Sequence, residues 1–345
     1  MRNFLYLPVT TTFILCALYA CSNRDSIRIV NISVNETEAI SSVTWQEADS
    51  GRFYYDLRAT ESYYIFLDDR SDTVMRVYKK DEPGKIHNCH VKKERSILDS
   101  KPQFLKSNTR YPAENNQLWI VDNYTSVKTL NPDNPAGQLL SPPVSYPFRT
   151  LPHSTDYNLT KDEIYAVPLN AADNSPYYFY HPDSGSFHVK IHQHPGTDYP
   201  KASLACLTCL TVSEENKSAV SAQRFMNDVL FYDLAGNIRT VATFGDGHTV
   251  PKIKNNTVDM GNSTKCFIYI CGTRNRVYCL YDGTTDYTAK SKIVVFDWTG
   301  KHIKTYQTDR CLKQIAVDSD DTRIIALAAN EQHGGRDAVL YNIIF

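Results

Sequence analysis

The 345-residue sequence has no surplus of charge: 37 Lys and Arg face 38 Asp and Glu, a net charge of −1. No basic field exists to gather nucleic acid or acidic lipid, so neither is an expected partner. Beyond its first twenty residues the chain lacks any apolar run near the roughly 20 residues of a membrane helix. Its 14 glycines and 16 prolines are too few for a disordered chain. It also lacks a G-x-S-x-G nucleophile turn, a phosphate loop and an H-E-x-x-H zinc helix. What it has is 42% hydrophobic residues, enough for a sizeable core, and 23 tyrosines beside 14 phenylalanines and 3 tryptophans. Broad side chains of this kind pack across neighbouring strands, which favours an all-β fold over helices.

The N-terminus reads as a targeting signal. Arg2 precedes the apolar run Phe13-Ile14-Leu15-Cys16-Ala17-Leu18-Tyr19-Ala20, too short to span a bilayer stably. It ends in Leu18-Tyr19-Ala20-Cys21, which resembles the bacterial lipobox: an aliphatic residue, a small residue directly before the cysteine, then the thiol that is acylated. Residues 1–20 are expected to be a lipoprotein signal peptide, with Cys21 as the lipidated N-terminus of a single domain over 21–345. More than one acyl chain gives stable tethering where a single chain does not. The membrane is thus a partner through the lipid anchor. Ser22 and Asn23 carry no acidic retention signal, and the expected location is the cell envelope, at the outer membrane facing the periplasm.

An internal hairpin repeats along the chain. An aliphatic-aromatic strand, a short polar turn ending in glycine and a second strand recur at Val74–Ile86, Tyr177–Phe187, Val229–Ile238 and Ile293–Ile303, with a weaker copy at Leu118–Leu130. The turns Asp233-Leu234-Ala235-Gly236 and Asp297-Trp298-Thr299-Gly300 place Asp where its side chain reaches the turn backbone and Gly where φ > 0 is easiest. A unit of about 50 residues with four short strands matches a propeller blade. Counting on predicts a six-bladed β-propeller with blades near 43–98, 99–148, 149–200, 201–250, 251–310 and 311–345. The last unit is one strand short, and the alternating segment within 26–36 is expected to complete it and close the ring, removing two sheet edges.

Over residues 265–330, through Val277-Tyr278-Cys279-Leu280-Tyr281-Asp282-Gly283, Ile293–Lys301 and Ile315-Ala316-Val317-Asp318, the chain resembles the TolB-like six-bladed propeller lipoproteins of Gram-negative envelopes. The motifs specify blade geometry and no chemistry. The resemblance implies that the innermost strand of each blade lines a central channel, with loops joining second and third strands around one mouth. Asp68, Arg70, Asp282, Asp286, His333 and Arg336 fall on those loops and are the candidate ligand-binding residues.

Louder local signals are set aside. Cys206-Leu207-Thr208-Cys209 has redox or zinc spacing but lies in a strand pattern, where side chains three apart face opposite ways. His188, His192 and His194 run into the turn at Pro195-Gly196. No catalytic residue, metal ligand or cofactor is assigned. The expected function is a lipid-anchored module that binds a protein, peptide or glycan through its loop face. The alternative is a carboxylate- or calcium-dependent hydrolase or lyase at the channel mouth.

Overall fold

A computed structural model describes residues 27–46, 53–68, 73–82, 91–92, 103–104, 118–122, 126–133, 154–159, 164–168, 178–181, 186–189, 205, 207–330, 336–343 and 345. Among these the chain is all-β, without a helix. Sheet 1 takes Tyr54–Ala59, Tyr63–Asp68, Thr73–Lys79 and Val91–Lys92, and sheet 2 takes Gln103–Phe104, Leu118–Asp122 and Ser126–Leu130. Sheet 3 takes Ser154–Leu159, Ile164–Pro168, Tyr178–His181 and Ser186–Val189. Thr208–Ser213, Ser218–Gln223, Asp228–Asp233 and Ile238–Phe244 form sheet 4; Lys265–Gly272, Arg276–Thr284, Lys292–Asp297 and His302–Thr308 form sheet 5. Sheet 6 begins with Leu312–Val317, Arg323–Ala329 and Arg336–Asn342. These run as antiparallel meanders, and Ile253–Lys254 with Thr257–Val258 adds a small ribbon between sheets 4 and 5.

Many strands are apolar on both faces because sheets lie against both. In Lys292–Asp297, Val294 and Phe296 join a core shared with sheet 4, while Ile293 and Val295 join one shared with sheet 6. Period-two alternation therefore divides the side chains between two cores and leaves neither set exposed. The same holds in sheet 1, where Tyr64 and Phe66 pack toward sheet 6 and Ile65 and Leu67 toward sheet 2. Tyr165 of sheet 3 packs with Leu210, Leu230 and Tyr232 of sheet 4. Face-to-face packing thus runs through sheets 3, 4, 5, 6, 1 and 2 in that order.

The two turns singled out in the sequence form as expected. Asp297 Oδ1 accepts from the amides of Thr299 (2.8 Å) and Lys301 (2.9 Å), with Gly300 at φ +82. Asp233 Oδ1 accepts from Asn237 N at 2.8 Å, with Gly236 at φ +84. The sheet 5 turn also docks on sheet 4: Thr240 Oγ1 donates to Thr299 O at 2.9 Å and Ser218 Oγ to Trp298 O at 3.2 Å.

The N-terminal segment departs from expectation. Arg28–Ile32, which was to complete the last unit, pairs in parallel with Ile238–Phe244 as a fifth strand of sheet 4. Glu38–Ile40 adds in parallel to His302–Thr308 of sheet 5. The strand that completes sheet 6 is Val43–Gln46, antiparallel to Arg336–Asn342 with Thr44 opposite Val339. Residues 43–46, placed by the repeat at the start of the first unit, therefore belong to the last. The physical reason is burial. Ile29 is 60% exposed in its strand, whereas Trp45 is 8% exposed and stacks with Phe66 (5.8 Å) and edge-on with Tyr64 (5.4 Å) and Tyr78 (5.1 Å). An indole wedged between sheets 6 and 1 is worth roughly 3–5 kcal/mol by the cost of truncating such a side chain. Asp309 fastens the approach, its Oδ2 accepting from Ser42 N (3.1 Å) and Oγ (3.0 Å).

Candidate functional site

The first strands of sheets 1, 4, 5 and 6 lie beside one another, and polar side chains bridge them. Tyr269 Oη accepts from Arg58 Nη1 and Gln314 Nε2, each at 2.9 Å. Gln314 Nε2 also donates to Asp56 Oδ1 and, at 3.4 Å, to Leu57 O. One layer of the half-buried Asp56, Arg58 and Tyr269 and the buried Gln314 thus ties sheets 1, 5 and 6 together.

Toward the end where second strands run into third strands, the side chains become cationic. Arg224 follows the second strand of sheet 4; it reaches Ile268 O (3.4 Å), Cys209 Sγ (3.9 Å) and Tyr287 Oη (3.5 Å). Lys265 opens sheet 5, is 5% exposed, and donates to Met260 O and Thr285 O. Lys313 of sheet 6 donates to Tyr287 O at 2.7 Å and lies 3.3 Å from Cys311 Sγ, which itself donates to Tyr287 O at 2.8 Å. Both ammonium groups sit 5.4 Å from the Tyr287 ring centroid, within cation–π range. Arg336 Nη1 points to Tyr55 O at 3.5 Å and its guanidinium lies 5.3 Å from the Phe53 ring; burial pushes its pKa down and the nearby Asp56 opposes that.

The candidate residues read from the sequence separate by role. Asp68 is 2% exposed; its Oδ1 accepts from Phe53 N at 3.0 Å and its Oδ2 lies 3.6 Å from Arg76 Nε. It braces sheet 1. Asp282, 5% exposed, accepts from Thr284 N (2.9 Å) and Thr284 Oγ1, and its other oxygen is buried without a hydrogen-bond partner among the described residues. Asp286 is exposed in the 285–291 loop, where the Thr288 hydroxyl at 2.7 Å holds its carboxyl below the usual range. Asp68 and Arg336 meet around Phe53, while Asp282 and Asp286 belong to the Tyr287 side. Cys21, Arg70 and His333 lie outside the described residues, as do His192 and His194.

Sequence reading missed Arg224, Lys265 and Lys313. A signal existed: a lysine at the first or second position of the opening strand in two consecutive units, Lys265 and Lys313. Cys209 is buried and free, in keeping with a structural role, and Cys279 is a buried free thiol as well. No group of three or more metal-binding side chains occurs among the described residues. A pocket of about 440 Å³ opens at the opposite end, between Arg276, Asp320, Asp321 and Phe345. Its charged groups are engaged: Arg276 stacks on the Phe345 ring, Asp320 accepts from Thr322 and Asp321 from three donors.

No family model matches the chain, and no curated protein matches it in sequence. Solved structures do match in fold. A member of the DUF4221 family from Bacteroides vulgatus is 12% identical with a TM-score of 0.57, the match covering 89% of this chain and 98% of that one. A protein described as exported, from Bacteroides fragilis, is 10% identical with a TM-score of 0.53, covering 93% of this chain and all of the other. At such identity the likeness is one of fold alone.

Proposed function

We propose that this chain is a lipid-anchored envelope β-propeller, of the kind the TolB-like lipoproteins represent, that binds a protein, peptide or glycan at the loop end of its sheets. Sheets 1 to 6 are its blades, Val43–Gln46 supplies the strand that closes the ring, and contact between sheets 2 and 3 completes it. The packing order through sheets 3, 4, 5, 6, 1 and 2 supports this reading. Export with acylation at Cys21, at the outer membrane facing the periplasm, rests on the lipobox-like sequence and agrees with the exported Bacteroides fragilis protein of similar fold.

The observation that carries the binding reading is the division of labour at the loop end. The acids Asp68, Asp228 and Asp337 are engaged within the fold, by Arg76, Thr243 and Arg310, while buried and half-buried cationic side chains gather around Tyr287. That arrangement suits recognition better than carboxylate chemistry, which needs convergent, unengaged acids. Thermal-shift screening of the whole protein against peptide and glycan panels tests it: a saturable hit weakened by Tyr287→Ala supports the module, and turnover of a glycan that needs Asp282 or Asp286 would replace it with the hydrolase. Ring closure is tested by cysteine pairs. Thr44→Cys with Val339→Cys should cross-link on mild oxidation, and Ile29→Cys with Val339→Cys should not.

A further inference from the structure

We propose that the loop end holds an oxyanion, borne by an acidic sugar or by a free inorganic anion, between Arg224, Lys265 and Lys313 around Tyr287. The inference deepens the binding reading above and rests on it. The three cations come from three different sheets and converge on one tyrosine: Arg224 by a 3.5 Å contact to its hydroxyl, the two lysines at 5.4 Å from its ring. None of the three has a carboxylate within 4.0 Å among the described residues, although nearby Arg310 and Arg76 both do, on Asp337 at 2.6 Å and Asp68 at 3.6 Å.

Their partners are neutral. Carbonyls of Met260, Thr285, Tyr287 and Ile268 and the sulfurs of Cys209 and Cys311 orient the donors without cancelling their charge. Arg224 Nε is buried and lacks a hydrogen-bond partner among the described residues, a cost of about 1–3 kcal/mol. Like charges drawn together without a counter-ion repel one another, and that repulsion is relieved when an anion enters. The guanidinium edge and the two ammonium groups provide the charge-assisted donors that oxyanions favour. Tyr287 is itself at φ +60 and is held there by the Cys311 and Lys313 bonds to its carbonyl, strain of the kind that persists where a side chain must be presented. The carboxylate nearest in sequence, Asp286, is exposed and bonded to Thr288.

The test measures melting of the whole protein in sulfate, phosphate or D-glucuronate at constant ionic strength, with glucose and chloride as controls. A saturable rise is expected in at least one oxyanion. It should weaken about tenfold or more in Arg224→Gln and in Lys313→Gln, the loss of one charge-assisted hydrogen bond, and stay unchanged in Lys290→Gln, an exposed lysine of the same loop. Each variant is referred to its own ligand-free melting point, so destabilisation by the buried arginine is not mistaken for lost binding. Tighter glucuronate than sulfate or phosphate assigns an acidic sugar; the reverse assigns an inorganic anion. No saturable rise, or one that both variants leave intact, overturns the inference. If a neutral peptide or glycan binds while no oxyanion does, the inference fails and the binding module stands.

Discussion

The two ends of the sheets use their polar residues differently. At the end where first strands turn into second strands, carboxylates serve as staples. Asp321 accepts from Thr273 Oγ1 (2.6 Å), Tyr278 Oη (2.8 Å) and Asn275 Nδ2 (3.1 Å). Asp318 receives Lys80 at 2.8 Å and Arg323 at 3.0 Å, joining sheets 1 and 6. At the loop end Asp68, Asp228 and Asp337 are also engaged, but among the described residues Arg224, Lys265 and Lys313 have no carboxylate to meet. Polarity at one end is consumed by structure, and at the other a surplus of one sign is left. That difference, and not the presence of charge, is what the proposed binding at the loop end rests on.

The largest effect expected on stability is alkaline unfolding, to which buried groups from both ends and the core contribute. Burial pushes the Cys266 thiol from an ordinary 9.0 up to about 12 and raises Cys279 as well. Burial and the neighbouring Asp321 raise Tyr278, and burial and Asp318 raise Tyr64. Each group keeps its proton in the native state to a higher pH than in the unfolded chain. Their stabilisation is therefore complete below about pH 9 and is lost as pH climbs toward 12. Urea midpoints should be flat up to pH 9 and fall above it, less steeply in Cys266→Ala.

Asp321→Ala comes next, at about 3 kcal/mol of lost stability by urea denaturation, because three donors lose their acceptor and alanine must adopt φ +60. Ligand binding at the loop end should survive in the folded fraction. Gly300→Ala should cost about 2 kcal/mol: its φ is +82, and an added Cβ would sit 2.8 Å from Phe231 Cδ2 and Thr240 Cγ2. Lys313→Gln is the smallest in stability, about 1 kcal/mol, because relief of the repulsion among the three cations offsets part of the lost bond to Tyr287 O, while it weakens oxyanion binding. A loop-end variant that lost stability as Asp321→Ala does would break the comparison.

Much of the fold could be read before the structure, and the reason is local. The Asp-x-x-Gly hairpins advertise themselves because turn geometry needs an acceptor and a positive φ at fixed positions, and Asp233, Gly236, Asp297 and Gly300 fill those roles. The N-terminal pairing could not be read the same way. Alternation in Arg28–Ile32 says only that the segment is a half-buried strand, and it fits the edge of sheet 4 as well as any other edge. Trp45 carried the decisive information, through contacts with residues about 20 to 33 positions away in sheet 1 that no local pattern predicts. The site was legible to a similar depth. Loop positions placed Asp286 and Arg336 at the end where second strands run into third strands, as the structure has them, but an exposed loop says nothing of charge balance. Asp68, read as a surface acid, is buried against Arg76. The unbalanced charges sit at strand ends, Lys265 and Lys313 at starts and Arg224 just past a finish, where cations pass as ordinary edge residues until three sheets bring them together.

Hydrogen–deuterium exchange of the whole protein, with and without a saturating oxyanion, tests the central claim most directly. The account predicts added protection confined to the loop end: the segments around Arg224, residues 260–268, 284–291 and 310–314. Protection appearing at 273–278 and 318–323 instead, or nowhere, would contradict it.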